Sequence, residues 1–152
     1  MDGTQQTNGA GKRRNLAQAL ATYRDGIRIE FPEGGWVRVV ARVANFEWLR
    51  KKEALDKAKR HELGLAIDQP LPVSVQSENN LRAMVGTVLK EWGDWWRDES
   101  TELDGSEESG LLLLALPPVF QEINAEVEKL DKLTEKDTKV AEGNSPPPSA
   151  GN

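Results

Sequence analysis

The sequence predicts an α+β fold, mainly α, in which an N-terminal β-hairpin packs on three to four helices between disordered N- and C-terminal tails. Three observations carry this. β-Branched residues alternate from Ile27 to Val43 around Pro32-Glu33-Gly34-Gly35, apolar residues recur at helical spacing in the later segments, and both ends are polar. The chain of 152 residues divides into a flexible segment 1–22, one α+β domain at 23–133 and a disordered tail 134–152. Neither end holds enough apolar side chains to offset the entropy of ordering it.

The hairpin spans 27–43. Pairing Phe31 with Val37, Ile29 with Val39 and Ile27 with Ala41 puts the apolar residues on one face and sets Glu30 opposite Arg38. An isolated hairpin is marginal in water, so this face must lie on helices or on a second copy. Asn45 caps a helix over 45–63 that Gly64 ends, with an apolar face diluted by Lys52, Asp56 and Lys59. Pro70 and Pro72 mark the extended connection that follows. A second helix is predicted over 77–97, started by Ser77 and Glu78, because Leu81, Met84, Val85, Val88, Leu89, Trp92, Trp95 and Trp96 fall on one helical face. An acidic loop leads to a leucine-rich helix at 107–116, which Pro117 terminates. Pro118 then opens a helix over 118–133 with Val119, Phe120, Ile123, Val127, Leu130 and Leu133 on one side.

Composition removes several functions. A net charge of −5 opposes general nucleic-acid binding, and the lack of cysteine excludes disulfides and thiolate chemistry and suits a reducing cytoplasm. No segment has the length of a membrane span and no signal-peptide core is evident. The lone histidine, His61, sits among Lys59, Arg60 and Glu62 with no partners for catalysis or metal binding. The acidic residues between Asp98 and Glu108 do not follow a calcium-loop pattern. Gly34-Gly35 leads from strand to strand, which makes no phosphate cradle. The reading is therefore no enzyme, no metal and no cofactor.

Contact with a partner is what the residues favour. Three tryptophans on one stripe would present about 450–750 Å² if bare, against about 300–600 Å² for the largest apolar patch of a typical monomer. They must line a core or an interface. Trp92 is mid-stripe and reads as core, whereas Trp95 and Trp96 lie beside the acidic loop and suit an anchoring role.

The chain resembles the phage tail assembly chaperone family of long-tailed bacteriophages. The resemblance rests on the strand Trp36-Val37-Arg38-Val39-Val40, on Asn45-Phe46 at a helix start, and on the block from Ala83 to Leu130. In that block Ala83-Met84-Val85-Gly86-Thr87-Val88-Leu89 leads to Trp92-Gly93, an acidic turn through Asp104-Gly105, a leucine segment and Pro117-Pro118-Val119-Phe120. It covers roughly residues 26 to 133. It implies a helper that acts in the host cell cytoplasm, binds the tape measure protein, keeps it soluble and assists tail tube polymerisation without entering the mature virion. It also implies that the tail tube protein is recruited through a longer frameshifted product.

A chaperone of this kind needs many weak apolar contacts. Trp92, Trp95, Trp96, Phe120, Ile123, Val127 and Leu130 are the expected partner-binding residues. Homo-oligomerisation on the client is expected through the hairpin, at Ile29, Phe31, Trp36, Val37 and Val39. Two alternatives stand beside it: a structural minor tail or connector protein of the virion, and an acidic accessory factor that binds nucleic acid through Lys51, Lys52, Lys57, Lys59 and Arg60. The mixture of Glu53, Asp56 and Glu62 with those cations favours a solvated face over a phosphate-binding patch.

Overall fold

A computed structural model describes Arg13 and residues 15–144, with side chains as far as Glu135. Among these residues five helices and a three-stranded antiparallel sheet form an α+β fold that is mainly α.

Helix α1 (Leu16–Asp25) occupies part of the segment expected to be flexible; Asn15 caps it by accepting a hydrogen bond from the Gln18 N–H. It ends at Gly26, whose φ of 74° is left-handed and where a Cβ would run into the Val39 carbonyl, so only glycine fits. The remainder of that expectation lies outside the described residues.

Strands β1 (Ile27–Glu30) and β2 (Trp36–Val39) form the hairpin. Its register corrects the expected one by two residues: Ile27 faces Val39, Ile29 faces Val37 and Glu30 faces Trp36. Gly34 and Gly35, at φ 111° and 86°, close the turn early, with the Phe31 N–H donating to the Gly35 carbonyl at 3.0 Å. A two-residue shift preserves the period of a strand, so the apolar face survives while the charge partners change. Arg28 stands opposite Arg38, pairs with Glu30 on its own strand at 2.6 Å, and leaves Arg38 to pair with Glu91 at 2.8 Å. Residues 40–43 leave the sheet instead of extending the hairpin.

Helix α2 (Phe46–Leu63) has the expected bounds. The Asn45 side chain accepts from the Trp48 N–H, and Gly64, left-handed at φ 69°, lets the Gly64 and Leu65 N–H groups reach the His61 and Arg60 carbonyls.

The helix expected over 77–97 is the main correction. Helix α3 (Val73–Met84) begins at Pro72 without a side-chain cap and stops at Met84, and strand β3 (Leu89–Gly93) follows. Gly86, at φ 87°, turns the chain, and β3 pairs with the open edge of β2: Leu89 with Val39, Glu91 with Arg38, Trp92 with Val37 and Gly93 with Trp36. Lys90 is the extra residue of a bulge, which sets both Leu89 and Trp92 toward the core. A spacing of three and four is compatible with a helix or with a bulged strand. Satisfying the free hydrogen-bonding edge of β2 decides between them.

Beyond β3 the left-handed Asp94, φ 61°, redirects the chain into a small ribbon. The Leu103 N–H donates to the Trp95 carbonyl and the Arg97 N–H to the Thr101 carbonyl, bridging Trp96 to Glu102. Asp98 closes the tip by accepting from the Ser100 and Thr101 N–H groups. Helix α4 (Glu107–Leu114) is capped by Ser106, and α5 (Pro117–Asn144) continues past Leu133, where a disordered tail was expected. The rest of that tail lies outside the described residues.

The core sits between the inner sheet face and the helices. Ile29, Val37, Val39, Val88 and Leu89 meet Leu113 and Leu114 of α4 and Val119, Ile123, Val127 and Leu130 of α5. Each fully buried aliphatic chain contributes about 1.5–3 kcal/mol relative to exposure. Helix α2 buries no residue completely and packs on α3, where Asn79 donates to Asp56 at 2.9 Å.

Candidate interaction surface

One end of the sheet gathers Phe31, Trp36 and Trp95. Trp36 projects from the outer face of β2, and its indole lies across Gly93: a Cβ there would come within 2.6 Å of Nε1. The Arg28 guanidinium stacks on that indole with Cζ 4.0 Å from the ring centre. Trp95 bends back onto the hairpin turn. Its ring covers Gly35, meets Phe31 edge-on at a centroid distance of 5.3 Å and donates from Nε1 to the Trp36 carbonyl at 3.0 Å.

These contacts make one wall of an open groove of about 650 Å³ between the hairpin turn and the start of α5. Phe31, Pro32, Trp95, Leu116 and Pro118 supply its apolar lining. Glu30, Glu33 and Glu122 supply its charge, and among the described residues no cation lines it. The two prolines leave no N–H to be satisfied by the protein.

The expected partner-binding residues separate by environment. Trp96 is 58% exposed, Trp95 is half-buried at the groove, and Trp92 is half-buried with its ring over Gly110 and its Nε1 donating to the Asp104 carbonyl. They are therefore not a helical stripe. Phe120 is half-buried, whereas Ile123, Val127 and Leu130 lie in the core, which corrects their expected role as a surface. Ile29, Val37 and Val39 are likewise beneath the helices, so the apolar face of the hairpin is not offered to a second copy; Phe31 and Trp36 stay partly exposed. Glu33, Glu122, Leu116 and Pro118 were missed because only the tertiary fold brings them together.

The acidic segment is locally organised. Asp104 accepts from the Ser106 N–H and from the Ser106 and Ser109 hydroxyls, the latter two at 2.6 and 2.7 Å. Those bonds, the hydroxyls first, lower its pKa to about 2. Asp98 is lowered chiefly by the Ser100 and Thr101 N–H groups. The carboxylates thus stabilise a ribbon and a helix start.

Two smaller cavities lie elsewhere. One of about 540 Å³ is lined by Trp48, Leu81, Met84 and Phe120, with Arg42 and Lys52 already paired to Asp131 and Asp56; the buried Trp48 Nε1 has no partner among the described residues. The other, about 320 Å³, lies beside Tyr23 and Asn45. The cations proposed for phosphate binding are partly engaged: Lys51 with Glu107 and the Val85 carbonyl, Lys59 with Glu62, and Arg60 with the Gln69 carbonyl. Among the described residues no three His, Asp or Glu side chains are arranged to hold a metal, and no helix is long and apolar enough to cross a membrane. No family model matches the chain, and no curated protein or solved structure matches it.

Proposed function

We propose that this protein is a phage tail assembly chaperone that binds apolar helical segments of the tape measure protein, keeps that client soluble and assists tail tube polymerisation around it. The observation that carries the reading is the open aromatic and proline-lined groove at the hairpin end of the sheet; Trp96, the residue after the groove's Trp95, is exposed. A groove of this shape suits an amphipathic helix, whose apolar side chains enter while its polar face stays in water. The modest size of the surface fits a client that must later be released, because affinity is then summed over several bound copies. The outer edge of β1, which no other strand of the described sheet covers, is where a second copy would add along the client.

Co-expression with a tape-measure fragment that is insoluble alone tests the function. The fragment is expected in the soluble fraction, bound to this chain; recovery of the fragment in the pellet at unchanged yield would refute the reading. Mass spectrometry of purified particles separates a helper, present in trace, from a stoichiometric virion component.

A further inference from the structure

We infer that the groove between the hairpin turn and α5 selects a cationic amphipathic helix: a partner segment that inserts bulky apolar side chains and carries Lys or Arg along their flanks. The inference deepens the chaperone reading and rests on it for the helical nature of the client.

The argument is charge complementarity at an apolar site. Among the described residues the lining holds three carboxylates and no cation. Arg28 pairs with Glu30, but Glu33 and Glu122 are exposed and make no ion pair among the described residues. Glu33 lies on the hairpin turn and Glu122 on the second turn of α5, so the two carboxylates approach the groove from different elements and flank whatever occupies it. Lys129 acts on Glu122 only as a weaker charge at a distance, so an acidic client would meet both carboxylates as like charge. A basic one would be steered in and held in register.

The volume, about 650 Å³, accommodates more than one side chain. That matches residues one helical turn apart, and Phe31 and Trp95 line the groove with aromatic surface for the aliphatic stems of Lys or Arg as well as for apolar side chains.

The test uses the full chain and two labelled helical peptides of about 20 residues, long enough to hold helical structure. Both share one Leu/Phe stripe; one has Lys on its flanks and the other Glu. Fluorescence anisotropy is expected to show binding of the Lys peptide that weakens with salt, and much weaker binding of the Glu peptide. Reversing both charges with Glu33→Lys and Glu122→Lys is expected to weaken the Lys peptide about tenfold and to strengthen the Glu peptide. Both positions are exposed, so far-UV circular dichroism should match the parent. Equal binding of the two peptides, binding of neither, or a Lys peptide indifferent to the double variant overturns the inference. So does a parent chain that dimerises alone in sedimentation and is made monomeric by the double variant, since a second copy then fills the groove. In co-expression, a double variant that still keeps the tape-measure fragment soluble removes the charge selection and leaves the chaperone reading intact. A parent chain that fails there while distinguishing the peptides does the reverse.

Discussion

Replacing Asn45 by alanine should cost about 3 kcal/mol, because one buried side chain performs three tasks. Its Oδ1 accepts from the Trp48 N–H and caps α2, while its Nδ2 donates to the Ala41 carbonyl at 3.0 Å and the Thr87 carbonyl at 2.7 Å. Loss of the cap accounts for about 1 kcal/mol, and each lost hydrogen bond to a carbonyl adds about 1 kcal/mol. With unchanged urea dependence this shifts the melting temperature down by roughly 10 °C. Asn45→Ser separates the terms, since serine restores the cap and not the two donations; about 2 kcal/mol should remain lost. Asn45→Asp also keeps the cap but turns a carboxylate oxygen toward two carbonyls, and should be worse than serine. Urea unfolding followed by far-UV circular dichroism reads all three. An alanine variant within about 0.5 kcal/mol of the parent, or a serine variant equal to the parent, would refute the account of Asn45 as the tie between the end of β2, the start of α2 and the turn before β3.

Other perturbations probe the remaining elements. The folded pKa of Asp104, about 2, lies below its ordinary 3.8; its stabilisation is therefore present above that ordinary value and disappears as pH falls through the folded one. The urea midpoint of Asp104→Asn should fall below the parent near neutrality and converge with it in strong acid, and a constant gap across the titration would contradict the assignment. Gly93→Ala places a Cβ within 2.6 Å of the Trp36 indole, so the ring must swing out at a cost of about 1–3 kcal/mol, read by unfolding and by the Trp36 side-chain NMR signal. Trp95→Ala removes a ring wedged on Gly35 and Phe31 and should cost about 2–3 kcal/mol, whereas Trp96→Ala should change stability by less than about 0.5 kcal/mol. Reduced client recovery in the co-expression assay with Trp96→Ala, at unchanged stability, would support its role as an anchor.

Local chemistry made part of the fold legible. Asn45 and Gly64 bracket α2 because a cap and a left-handed C-terminal residue act within one turn of the chain. The alternating residues of the hairpin fixed which side chains face inward, and that survived a register error of two because a strand repeats every two residues. The register itself depended on two consecutive glycines taking positive φ, a choice that alternation does not constrain. Residues 85–96 were misread for a deeper reason: apolar spacings of three and four also arise where a bulge inserts Lys90 into a strand. Val85, Thr87 and Val88, with Gly86 among them, were the local signal against a helix. The decisive term, the unpaired edge of β2, is non-local.

The candidate site was legible as composition and not as geometry. An excess of tryptophan announced an aromatic surface, and Trp95 does line the groove while Trp96 stays exposed. Yet helical phase assigned Ile123, Val127 and Leu130 to a partner when the sheet needed them, since periodicity reports which side of a helix is apolar and not what covers it. The residues that give the groove its charge illustrate the limit more sharply. Glu33 belongs to a turn and Glu122 to the polar side of α5, and each alone is an ordinary solvated carboxylate. They acquire a joint role because the turn is folded against Trp95 while Pro117 and Pro118 start α5 beside it, and the specificity that follows belongs to that juxtaposition. Reversal of both charges is therefore the sharper test: it alters recognition through two positions whose individual loss leaves the core untouched.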